Sequence, residues 1–161
     1  MDNIKQGCLE VLKQGENYLK SVDEASYTAI IQPYFTSSPG EHIRHILDMF
    51  LAVRNSSDNT IDYDQRNRGS EVETHSSSAL EQLLTIKTWV ESLIDKDFES
   101  LIKMKTEVSV QEKRVSEATT TLGRELIFCA SHAVHHFAII AIAAKMKNVE
   151  VENGFGLAPA T

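Results

Sequence analysis

Two cysteines, Cys8 and Cys129, are all the thiols in this 161-residue chain. That is too few for a disulfide framework, so stability has to come from a packed core, and a reducing compartment is expected. No run of lysine or arginine occurs, and the formal net charge is −7. Phosphate recognition relies on clustered positive charge, so neither nucleic acid nor an anionic membrane surface is an expected partner. The start, MDNIKQGCLE, lacks a basic region followed by an apolar run, which argues against a secretory signal. The longest apolar stretch, near Phe137 to Ala144, is too short to span a bilayer; a cytoplasmic protein is expected. GxGxxG, P-loop, GxSxG and CxxC patterns are missing, which leaves nucleotide binding and serine-nucleophile chemistry without support. Internal repeats and low-complexity segments are missing too.

What is present suits one globular domain over residues 1–161, with 42% hydrophobic and 24% charged residues. Ile4, Cys8, Val11, Leu12, Leu19 and Val22 recur at helical spacing and predict a helix over about 3–21. Pro33 then breaks helical pairing in a connector that begins at Asp23. Ser38 followed by Pro39, with Glu41 three residues after the serine, is a capped helix start. This second helix should reach about Arg54 and stop in the polar string Asn55-Ser56-Ser57-Asp58-Asn59. A connection of roughly twenty residues follows, long enough to cross the fold or to carry function. A third helix begins near Ser77 or Ser78, with Leu80, Leu83, Leu84, Ile86, Val90, Leu93 and Ile94 as its stripe.

Alternation of Ile102, Met104, Thr106, Val108 and Val110 over Leu101 to Val115 suggests a short hairpin turning at Glu112-Lys113. The fourth helix, about Thr121 to Lys147, is apolar nearly all round and therefore expected to be buried. The end, VENGFGLAPAT, reads as a loop or docked tail. Together these elements predict an all-α fold: a four-helix bundle with a long crossover between helices 2 and 3 and a small β-hairpin before helix 4.

Five of the six histidines fall in two short segments, His42 and His45 in one, His132, His135 and His136 in the other. His132 and His136 are four apart, so their rings leave one helix face a turn apart, where two imidazoles can hold one metal ion. No glutamate stands between them in the HExxH manner, so a zincin-type base is missing. The bland alternative is a pair of core histidines satisfied by ordinary hydrogen bonds. On the second helix, His42 and His45 share a face with Met49 and Ala52, opposite Ile43, Ile46, Leu47 and Phe50. One face of that helix could look into a metal site while the other meets a neighbouring helix or a second subunit; on periodicity alone both histidines read as simple surface residues. His135 points about 100° away from His136 and reads as outer or surface. Cys129 is a fourth ligand or core, Asp48 an outer partner of His45 or solvated. The loop from Asp62 to Arg68 holds two arginines that bind an anionic substrate or tie the loop down.

At GEHIRHILDMF together with SHAVHHFAII, and along DYDQRNR and FGLAPAT, the sequence resembles the DinB-like (DinB/YfiT) family. The resemblance implies a bundle whose second and third helices run the same way, and a three-histidine site for nickel or zinc. It places the ligands on His45, His132 and His136, with His42 left over one turn from the site. It also implies thiol-dependent transferase or isomerase chemistry among relatives. The resulting expectation is a divalent-metal protein, a thiol transferase or hydrolase acting on a small molecule, as a homodimer. The rival is a non-catalytic bundle that acts through dimerisation or partner binding.

Overall fold

The computed structural model describes residues 2–56 and 58–159. Ser57 of the expected stop string and Ala160-Thr161 of the expected tail lie outside the described residues. The chain forms α1 (Asp2–Ser21), a single turn α2 (Glu24–Tyr27), α3 (Pro39–Arg54), β1 (Thr60–Asp62), a 3-10 turn (Glu71–Glu73), α4 (Ser76–Ser92), a single turn α5 (Asp95–Phe98), β2 (Leu101–Glu107), β3 (Val115–Thr121) and α6 (Leu122–Met146).

Local chemistry sets the ends of the two helices that matter most. Ser38 caps α3: its hydroxyl accepts from the Glu41 N–H at 3.2 Å, and the Glu41 carboxylate accepts from the Ser38 N–H at 2.7 Å. Two orphan donors of the first turn are thereby satisfied reciprocally, and Pro39 at the first position gives up no hydrogen bond. Thr121 caps α6 by its hydroxyl alone, accepting from the Arg124 N–H at 3.2 Å. Each of the four long helices packs against two others: α1 on α4 and α6, α3 on α4 and α6. The core they enclose includes Leu12, Tyr27, Ile43, Leu47, Phe50, Leu83, Ile86, Leu126, Phe137 and Ile140, all nearly inaccessible.

The all-α expectation is wrong. Among the described residues there are six α-helices and a three-stranded mixed sheet, ordered β1-β2-β3. β2 and β3 pair antiparallel, Leu101 opposite Thr121 through Glu107 opposite Val115, while β1 pairs parallel to β2, Ile61 opposite Met104. A parallel pair needs a crossover, and the segment carrying α4 and α5 supplies it. The physical reason for the miss is length. Three residues, Thr60 to Asp62, are too few to show alternation, and β1 is held by Ile61, fully buried, and by its pairing to a strand far along the chain. The hairpin also runs further than expected: β3 extends to Thr121, with the reversal over 108–114. Most of β3 faces solvent, so no period-2 pattern marks it.

α6 is not buried all round either, since Ile127 and Ile142 are about half exposed. Over its 25 residues it is long and apolar enough to cross a membrane by length and composition alone, a test that the Phe137–Ala144 stretch taken by itself understates. The core helix of a soluble protein passes the same test, and α6 packs on α1 and α3. The tail is docked. Phe155 stacks on Tyr18 at 5.3 Å and on Phe137 at 4.9 Å between ring centroids, and Gly156, at φ +76°, lies so close to Ala138 that a side chain would collide with it.

Candidate metal centre

Across the contact between α3 and α6 four histidine rings meet. His45 Nε2 stands 2.9 Å from His132 Nε2, and His132 Nε2 stands 3.0 Å from His136 Nε2. The ligand atoms of His45, His132 and His136 all lie within 4.8 Å of one another, so the three partly buried rings form a cluster that could hold a metal ion. An imidazole nitrogen without a proton offers one lone pair. Three such nitrogens aimed at one point repel unless protons or a cation lie between them. Ligands of a tetrahedral ion with metal–nitrogen bonds of ~2.0–2.1 Å stand ~3.3 Å apart. The two separations at His132 therefore need to widen by only a few tenths of an ångström, and the His45 and His136 ligand atoms lie within 4.8 Å of each other. A donor set of neutral nitrogens suits a divalent transition ion and not calcium or magnesium, which take oxygen.

The electrostatics agree. Burial, reinforced by the other rings, pulls the His136 pKa down to about 3. Burial also takes His45 down to about 4, helped by His132 and by the Arg66 and Arg44 guanidinium groups. His132 and His42 shift down for the same primary reason, burial. Imidazoles that are neutral at neutral pH have no proton to shed before they bind a metal. Among the described residues no carboxylate hydrogen-bonds to the three rings.

His42 lies on the far side of His136, their Nδ1 atoms 2.9 Å apart. His135 is exposed, its ring 5.2 Å from that of His136. Phe128 borders His132 at 5.8 Å and carries the Arg124 guanidinium over its face at 5.2 Å.

The remaining sequence candidates have other employment. Cys129 is buried outside the cluster; burial raises its thiol to about 12, and its sulfur lies 3.8 Å from the Tyr63 hydroxyl. Asp48 does not serve His45. Its carboxylate accepts from Arg44 at 3.0 Å and from the Asn67 side chain and backbone at 2.7 and 3.1 Å, and Arg44 reaches on to Glu73 at 2.9 Å. The Asp62–Arg68 loop is thus pinned onto α3, and Arg66 turns back to the Tyr63 and Gln65 carbonyl oxygens. His75 pairs with Thr74, away from the site.

Sequence reasoning missed a buried polar knot beneath the cluster. Glu125, fully inaccessible, accepts from Tyr63 at 2.6 Å and from Thr120 and Arg124 at 2.8 Å. It ties the crossover loop and the end of β3 to the first turn of α6. A buried acid with three donors is fully satisfied, and Tyr63 and Glu125 stand 62 residues apart, so no local pattern joins them.

No family model matches this chain. Among curated proteins, FK506-binding protein 5 of Rhizopus delemar is similar, 27% identical over 101 residues, which is 63% of this chain and 26% of that protein. The chain thus spans about a quarter of the length of the curated relative it matches. No solved structure matches it.

Proposed function

We propose that this protein is a DinB/YfiT-like metal protein in which His45, His132 and His136 hold one divalent transition ion, zinc or nickel, through their Nε2 atoms. The observation that carries the reading is the convergence of three neutral ring nitrogens from two helices, all within 4.8 Å of one another and two of the pairs at 2.9 and 3.0 Å. Three protein donors leave at least one coordination position for a small molecule. A divalent ion there supplies Lewis acidity, which lowers the pKa of a thiol or of water toward neutrality. The chemistry assigned to the site is therefore thiol transfer to an electrophile, or hydrolysis, in the cytoplasm. The chain's own contribution is to keep three rings unprotonated and aimed inward, and to wall one side with Phe128.

The non-catalytic alternative drew on the two faces of the second helix. Both are occupied within the chain, since α3 packs on α4 and on α6. The test is metal content by plasma mass spectrometry on protein purified without a histidine tag and loaded with zinc or nickel. One equivalent is expected for the wild type and much less for His136→Ala. Failure of the wild type to retain stoichiometric metal ends the proposal.

A further inference from the structure

His42 does not belong to the three-nitrogen cluster, yet it is built into the same place. Its Nδ1 meets the Nδ1 of His136 at 2.9 Å, while the Nε2 of His136 faces His132 at 3.0 Å. Among the described residues, His136 is the one ring of the three whose second nitrogen has a side-chain partner. Each end of that ring therefore faces a different imidazole, so the tautomer of His136 is tied to that of His42. A neutral imidazole carries one proton. If Nε2 of His136 lends its lone pair to a metal, the proton sits on Nδ1 and points at His42 Nδ1, which must then accept. The proton of His42 is left on its own Nε2. A ring fixed in this manner cannot swivel, and its ligand nitrogen arrives with the lone pair already exposed.

The backbone under His42 is held as firmly as the ring. It lies in the first turn of α3, behind the Ser38–Glu41 capping box, with its own N–H bonded to the Ser38 carbonyl at 3.2 Å. Gly40 lets that turn press on the 3-10 turn, because a Cβ there would overlap the Glu73 carbonyl oxygen. Tyr27 closes the contact from below by donating to the Val72 carbonyl at 2.6 Å.

We propose that His42 is a positioning residue for the metal centre: through Nδ1 it accepts the Nδ1 proton of His136 and so selects the ligand-competent tautomer of that ring. Resting on the three-histidine reading, this adds an outer histidine in the role that carboxylates and carbonyls usually fill beside metal-bound imidazoles. α3 then contributes one ligand and one clamp, three residues apart on the same face, and α6 contributes two ligands.

The test uses two substitutions and two readouts. Asparagine places a carbonyl oxygen where Nδ1 stood; leucine fills the space without an acceptor. Zinc affinity, measured by competition with a chromophoric chelator, should fall roughly 10- to 100-fold in His42→Leu and return to within a few-fold of wild type in His42→Asn. The visible absorption of the cobalt-loaded protein should change in the leucine variant and recover in the asparagine variant. Wild-type affinity and spectrum in His42→Leu would overturn the clamp while leaving the metal site standing. Nitrogen-15 spectra of the metal-free wild type give a readout independent of variant folding. His136 protonated on Nδ1 and His42 on Nε2 are expected, and the reverse arrangement sinks the proposal. A wild type that binds no zinc would instead overturn the three-histidine reading and the clamp with it.

Discussion

His45 and His136, with pKa values near 4 and 3, make the stability of the metal-free protein depend on pH in a fixed direction. In the unfolded chain both rings take up protons near pH 6.5, whereas in the folded chain they resist until much lower pH. Between those limits the unfolded state binds more protons, so stability falls as pH drops from about 6.5 toward 4. Urea midpoints collected across that window should show the decline, and His136→Leu should flatten part of it; an equal slope in both proteins would contradict the burial argument. Much of this site was legible in residue spacing. His132 and His136 at four apart can only share a face, and the structure brings them together with His45. The choice between His42 and His45 was not legible from spacing, because residues three apart share a face and which nitrogen meets which depends on the opposing helix. Asp48 misled for a local reason that was visible: Arg44, four residues earlier, claims its carboxylate.

At the scale of elements, the first turn of α3 controls where its histidines stand. Gly40→Ala would normally favour a helix by about 1 kcal/mol. Here the added methyl meets the Glu73 carbonyl, and it lies 2.9 Å from the Tyr27 ring, so backbone must move. A net loss of about 1–3 kcal/mol is expected from overpacking, read by denaturant unfolding, together with weaker zinc binding as His42 and His45 shift. An unchanged midpoint would show that the 3-10 turn yields freely. The capping box of α3 was legible because its signal is contained in four residues. β1 was not, since a three-residue strand has meaning only beside its partner, 43 positions on. β3 escaped for a related reason: it buries little, and burial on one face is what writes alternation into a strand.

The whole molecule is closed by its C-terminal segment. Phe155, nearly buried between Tyr18 of α1 and Phe137 of α6, joins the first and last long helices one residue beyond His136. Phe155→Ala should cost about 3 kcal/mol through the lost burial and the cavity left behind, seen as a lower denaturation midpoint. Loss of much less would mean that the tail rests on the surface without bracing it. The class of the fold was misjudged at this scale. Helical periodicity speaks from single segments, whereas a mixed sheet exists only through pairing between distant ones. Histidines 45 and 132 are separated by 87 residues, and between them run the sheet, α4 and α5. An ion shared by those two rings is held only while the long stretch between them is folded, so it would stabilise that whole stretch by mass action, by about 4 kcal/mol at a free concentration about a thousand times its Kd. Elements that touch no metal would thus owe part of their persistence to it.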